Sequence, residues 1–332
     1  MSADGKAVAA IDAQGLAKRF GEVQAVAGVD FTVDAGEVFG FLGPNGAGKT
    51  TTINMLIGLA RPDAGTMRIA GIDCSKNPKA AQHLIGVIPD DSNLYPELTG
   101  FENLCFCGAL YGMRKAARET RARELLERFG LAEAAPRKFA GYSRGMKRKL
   151  TIAAGIMHEP SILFLDEPTT GIDVASARQI RQLIAQLNAG GTTIFLTTHY
   201  IEEAERLCRR IAFIVNGRIV RIDRVEALLE QVHGQHLVMF ALEGAEPRLA
   251  AKVATAFPDL AVEPHAGGRL QVASTAPVRV SPLLRFFEEQ GVEVMEARKV
   301  QPSLEDVFVR VTGIETTVMQ REKERKPMGA GV

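Results

Sequence analysis

Residues 43–51 read GPNGAGKTT, directly after an apolar run, EVFGFL, and directly before a helical one, TTINMLIGL. The pattern G-x-x-x-x-G-K-[ST] in that setting demands a strand, a glycine loop and a helix in immediate succession, and therefore an α/β architecture around them. Gly43, Gly46 and Gly48 leave backbone N–H groups free to turn inward around a polyphosphate, and the helix that follows adds its positive end. The candidate cradle is Gly43, Pro44, Asn45, Gly46, Ala47, Gly48, Lys49, Thr50 and Thr51. Lys49 has the reach for the outer phosphates, and the Thr50 hydroxyl suits a Mg2+ ion.

A phosphate loop alone leaves kinases, GTPases, helicases and transport ATPases open. The stretch SILFLDEPTTGID at 161–173 narrows the field. Its apolar residues end in Asp166, as in a buried strand that delivers a carboxylate to the metal, and Glu167 follows at once. A carboxylate beside a metal ligand is suited to orient an attacking water or accept its proton. No N-K-x-D guanine-reading motif occurs, which argues against a GTPase. The next strand-like run, TTIFLTTHYIEE, ends at His199. Carboxyl ends of strands line the ligand crevice of such sheets, so this imidazole is expected near the terminal phosphate. The other histidines, His83, His158, His233, His236 and His265, have no such placement and are read as structural.

Bulk properties exclude more than they assign. Forty Lys plus Arg against thirty-nine Asp plus Glu give a net charge of +1, so no global field draws the chain to nucleic acid or anionic lipid. One local basic run, GYSRGMKRKL at 141–150, carries Arg144, Lys147, Arg148 and Lys149. Without interleaved aromatics to stack bases it is not read as a nucleic-acid patch. The expectation is a solvated helix face with a local attraction for triphosphate. The four cysteines, Cys74, Cys105, Cys107 and Cys208, lack a second pair at zinc-finger spacing and are expected to be reduced. The N-terminus MSADGKAVAAID has no apolar run of a secretion signal, and no segment approaches the ~20 apolar residues of a membrane span. The expected chain is soluble, and any work at a membrane needs a borrowed membrane partner.

Alternating runs over about residues 8–42 predict short strands, and after Leu98 the periodicity turns helical until about 158. Buried parallel strands return with SILFLDEP and TTIFLTTH, and the first domain is expected to close near residue 233. Residues 235–313 follow a β-α-β-β-α-β order with one extra helix, the plan of a small α+β ferredoxin-like domain. Residues 314–332, charged and then small, are expected to be a frayed tail.

Together these motifs resemble the nucleotide-binding subunits of ABC transporters. YSRGM at 142–146, just upstream of the Asp166 strand, is similar to that family's signature loop, usually written LSGGQ. The resemblance spans about residues 8–313. It implies a P-loop NTPase cassette with a helical subdomain at about 98–158, ATP and Mg2+ as cofactors, and Mg2+ held by Thr50, Asp166 and Asp90. It also implies that Glu167 and His199 carry hydrolysis. Ser143, Gly145, Met146 and the D-loop Asp173 would bind the ATP of a second copy in trans, giving a homodimer. Phe20, in LAKRFGEVQAV, matches the aromatic that stacks on adenine. PSLEDVFVRVTG resembles the end of the extra domain of the drug- and antibiotic-export (ABC-2 type) branch, which implies a polytopic membrane permease as partner and a place on the cytoplasmic face of the cell membrane.

Two motifs depart from the family pattern. In the signature, Arg144 stands at the first glycine and Met146 at the glutamine, and in GVIPDDSNLYPEL at 86–98 Asp90 stands where a glutamine is usual. An aspartate offers only oxygens, and a charge, where glutamine also offers an amide donor. Two rival readings stand beside the transporter: a soluble ABC-type ATPase acting on ribosomes or chromosomes, and a non-hydrolysing regulatory ATP-binding module.

Overall fold

A computed structural model describes residues 9–75, 77–230, 236–243, 248–265, 267–300 and 303–314. The chain divides into two compact units, the second being Glu226–Gly313. In the first unit a six-stranded sheet runs in the order Arg218–Arg224, Arg210–Val215, Val38–Leu42, Thr193–Thr198, Ile162–Asp166, Ile85–Ile88. All its pairings are parallel except the hairpin Arg210–Arg224 at one edge. The three strands that precede the candidate site are neighbours: Val38–Leu42, Thr193–Thr198 and Ile162–Asp166. Their register sets Leu42 opposite Thr198 and Asp166 opposite Thr197. The residues that follow each strand therefore emerge side by side from one edge of the sheet.

Burial on both faces explains why these strands read as unbroken apolar runs. Every residue of Val38–Leu42, Ile162–Asp166 and Thr193–Thr198 is buried. Phe41 and Phe164 each pack on Phe195, with ring centroids 5.4 and 5.6 Å apart. Phe31 joins them at 5.6 and 5.7 Å from a second, antiparallel sheet ordered Val23–Asp34, Ala9–Phe20, Ala64–Ile69, Ile72–Asp73. Each buried ring contributes roughly 1.5–3 kcal/mol by leaving water, and together they pin the sheet beneath the phosphate loop.

The expected helical insert is present as Gly100–Leu110, Lys115–Arg128 and Arg144–Gly155. Thr99 and Glu102 form a capping box on the first, and the Ser143 side chain caps the third by accepting from the Met146 amide at 3.3 Å. In the second unit the strands pair antiparallel in the order Ala261–His265, Arg269–Ser274, His236–Glu243, Glu293–Val300. Each β-α-β crossover thus skips one strand, which interleaves two split units. Phe240 and Phe287 meet edge to face at 5.1 Å within its core. The expected helix at RVEALLEQVH is formed at Val225–Glu230, while His233 and the tail after Ile314 lie outside the described residues. The four cysteines are free thiols.

Candidate nucleotide site

The glycine loop joins the strand Val38–Leu42 to the helix Lys49–Leu56. Gly48 sits at φ 102°, and a Cβ there would come within 2.4 Å of the Ala25 carbonyl oxygen, so only glycine lets the loop turn at this point. A Cβ on Gly43 would strike the Ile214 carbonyl oxygen at 2.1 Å. The neighbouring elements press the backbone into its curve from outside.

Lys49 folds back over the loop. Its Nζ donates to the Gly43 carbonyl at 2.8 Å and the Pro44 carbonyl at 3.2 Å, and pairs with Glu167 Oε1 at 3.2 Å. The Thr50 hydroxyl donates to Asp166 Oδ2 at 2.7 Å, and Thr197 donates to the other Asp166 oxygen. A hydroxyl and a carboxylate oxygen so close together form the hard-oxygen pair that suits Mg2+ with phosphate and water completing its shell.

Glu167 is nine-tenths buried and has φ 50°, a left-handed conformation uncommon for a residue with a side chain. The conformation is held by the Glu167 amide, which donates to the Thr197 carbonyl at 3.0 Å. Its Oε2 is bonded to His199 Nδ1 at 2.6 Å and accepts from the Thr170 hydroxyl at 3.1 Å. Burial pushes the Glu167 carboxyl up, but the His199 hydrogen bond and the Lys49 charge outweigh it and leave the group below the ordinary glutamate value. With Glu167 ionised, His199 Nδ1 carries the proton. Its Nε2 is buried without a partner among the described residues. A proton-bearing Nε2 donates to a phosphate oxygen, and a bare one accepts from water.

The remaining positions sort themselves by exposure. Phe20 is 54% exposed at the end of its strand, with Lys18 Nζ 5.4 Å from its ring centre, so the ring is free to stack and is not core. Asp90 is exposed overall, yet loss of hydration at its carboxyl and repulsion from Glu167 and Asp166 push it above the ordinary aspartate value, against the pull of Arg148. Ser143 and Arg144 are exposed, and among the described residues Arg144 Nη1 reaches only the Gly171 carbonyl, at 3.4 Å. Asp173 caps the helix Val174–Ala189 by accepting from the Ser176 amide at 2.9 Å. Gly145 lies against that cap, since a Cβ on it would stand 2.3 Å from Ser176 Oγ and 3.8 Å from Asp173 Oδ2. The signature-like turn and the Asp173 turn therefore share one surface.

The ABC transporter family model matches residues 26–170. The daunorubicin resistance ATP-binding protein DrrA2 of Streptomyces coeruleorubidus is 39% identical over 92% of this chain and 96% of its own length. This chain belongs to the ABC transporter ATP-binding proteins. The linearmycin resistance ATP-binding protein LnrL of Bacillus subtilis is similar at 35% identity, over 91% of this chain and 98% of its own. Among solved structures, a dimeric ABC cassette in a post-hydrolysis state with ADP and phosphate matches with a TM-score of 0.60 and 27% identity, over 65% of this chain and 98% of that one. No helix among the described residues is long and apolar enough to cross a membrane.

One expectation for this ABC ATP-binding protein needs correcting. Arg148 is not part of a solvated face: it is 6% exposed. Its guanidinium donates to the carbonyls of Pro168 at 2.9 Å, Asp166 at 2.7 Å and Asp90 at 3.1 Å, and to that of Pro89. The sequence held a clue, because Arg148 falls three residues after the buried Gly145 and four before the buried Ile152, on one helix stripe. Two further groups escaped the sequence reading. Thr197 sits in an apolar strand, and Glu203, in the helix Ile201–Leu207, accepts from the Thr169 hydroxyl at 2.8 Å while burial pushes its carboxyl up.

Proposed function

We propose that this chain is the ATP-hydrolysing subunit of an exporter of drugs or other small molecules, working as a homodimer on the cytoplasmic face of the cell membrane beside a polytopic permease. The observation that carries the reading is the closed set of contacts linking Lys49, Glu167 and His199 beside the Thr50–Asp166 pair. Similarity to the resistance and export ATP-binding proteins supports the drug-export assignment.

In this reading Gly43–Thr51 wraps the phosphates, Lys49 turns from its carbonyl partners to the outer phosphate oxygens, and Phe20 stacks on the adenine. Thr50 and Asp166 would hold Mg2+, with Asp90 on the metal's side, and the ion when bound neutralises phosphate charge. Glu167, kept ionised, orients the attacking water and takes its proton. His199 holds that carboxylate in line through Nδ1 and leaves Nε2 for the reacting group. Ser143, Gly145 and Met146 of one copy, with Asp173 beside them, cover the ATP of the other. ATP thereby favours the closed dimer and hydrolysis releases it, a population shift that a permease can use. Neither the ribosome or chromosome reading nor the non-hydrolysing module is favoured by any contact, and the Glu167–His199 pair speaks against the second.

The test is Glu167→Gln, which keeps shape and removes the base. With ATP and Mg2+ it is expected to elute as a stable dimer on size exclusion while the parent returns to monomer. A variant that stays monomeric under saturating ATP contradicts the scheme.

A further inference from the structure

The helix Arg144–Gly155 is fastened to the catalytic edge at two successive turns. Arg148 bonds the carbonyls of Asp166 and Pro168 on one side and those of Pro89 and Asp90 on the other. One turn on, the Thr151 hydroxyl meets that of Ser92 at 2.7 Å. The accepting carbonyls lie just where the strands Ile162–Asp166 and Ile85–Ile88 leave the sheet, so ladder partners no longer serve them.

A buried charge is costly unless its hydrogen bonds are met, and here the planar fork of an arginine meets acceptors from two chain segments at once, 89–90 and 166–168. The carboxylates arrayed around it are Asp90, Asp166, Glu203 and Glu167. Arg148 is the cation set among all four. A lysine at this place has a point charge on a flexible stem and cannot span the same acceptors in one geometry.

We propose that Arg148 is a positioning residue that transmits the state of the Ser143–Gly145 turn to Asp166, Glu167 and Asp90 of the same chain. The turn sits at the start of the helix and the carboxylates follow the carbonyls Arg148 holds. A turn seated on the partner's nucleotide thus sets the carboxylates around its own, which couples the two sites of the dimer. The inference rests on the functional reading above.

The experiment compares Arg148→Lys and Arg148→Gln with the parent in steady-state ATPase assays, well below each protein's melting temperature. Expected are a kcat lowered about tenfold, the loss of one to two charged hydrogen bonds from the transition state, and a KM for ATP within about twofold of the parent. The Hill coefficient for ATP is expected to be above one in the parent and to fall to one in the Arg148 variants. Ser92→Ala, at an exposed position, cuts only the second fastening and is expected to lower kcat about threefold in the same direction. It serves as the test if the Arg148 variants do not fold. Variants that melt lower yet keep the parent's kcat and Hill coefficient show a merely structural arginine and overturn the proposal. A parent that hydrolyses ATP without cooperativity overturns the coupling alone, whereas a parent with no ATPase activity removes the functional reading beneath it.

Discussion

The glycine loop at 43–51 and the turn at 142–146 both open a helix, yet the chain treats them in opposite ways. Around the loop, Lys49, Asp166, Glu167 and His199 are each at most 8% exposed and bonded to one another or to backbone. At the turn, Ser143 and Arg144 are exposed, and the Ser143 side chain caps its own helix. A polar group that is buried must find its partner in the fold, whereas an exposed one is free to find it elsewhere. In the proposed reading one half of the site is finished within the molecule and the other is presented outward, as a two-copy sandwich requires.

The sharpest way to separate the halves is to break the finished one. Glu167→Gln is expected to lower kcat by about 10²–10⁴-fold, the usual worth of a positioned general base, and to leave equilibrium ATP binding intact. Weakened binding would instead make Glu167 part of the cradle's architecture. The presented half is broken by Gly145→Ala. Its Cβ would meet Ser176 Oγ at 2.3 Å and Ser176 Cβ at 2.7 Å, so the turn must move off the Asp173 cap. Overpacking of this kind costs about 1–3 kcal/mol, and turnover is expected to drop about tenfold. Nucleotide affinity of the isolated monomer, followed with a fluorescent ATP analogue, is expected to stay at the parent value. An equal loss in both measurements erases the distinction.

The smallest effect belongs to Asp90, between the two halves. Asp90→Asn and Asp90→Gln are expected to change Mg2+-dependent turnover about twofold to fivefold by altering charge beside the metal-side carboxylates. If both hydrolyse ATP as the parent does across a Mg2+ titration, Asp90 has no place in the site. A stability readout accompanies this. The folded chain holds the Asp90 carboxyl above its ordinary value of 3.8, so its contribution is fully present below that pH and is lost as pH rises through the folded value. Asp90→Asn, which resembles the protonated form, is therefore expected to melt above the parent at about pH 7 and level with it near pH 3.

The finished half was legible from the sequence because its chemistry demands fixed residue types at fixed spacing. GPNGAGKTT, LFLDEP and TTH each announce themselves, and three adjacent parallel strands bring them to one edge. The order of strands and helices in the second unit was legible from its alternating runs of strand and helix character. Arg148 was not, because its partners are backbone carbonyls, which have no letter of their own in a sequence. They come from segments 18 to 59 residues away. Thr197 likewise read as a strand filler, and only the register opposite Asp166 shows what its hydroxyl does.

The central claim, that one copy's turn covers the other's cradle, is tested most directly by disulfide crosslinking. Asn45 and Arg144 are both exposed, and each is replaced by cysteine in one chain carrying Glu167→Gln. The account predicts a dimer-sized, reductant-sensitive band that forms with ATP and Mg2+ and not without nucleotide. Oxidation that yields no interchain product with ATP, or the same product without it, contradicts the account.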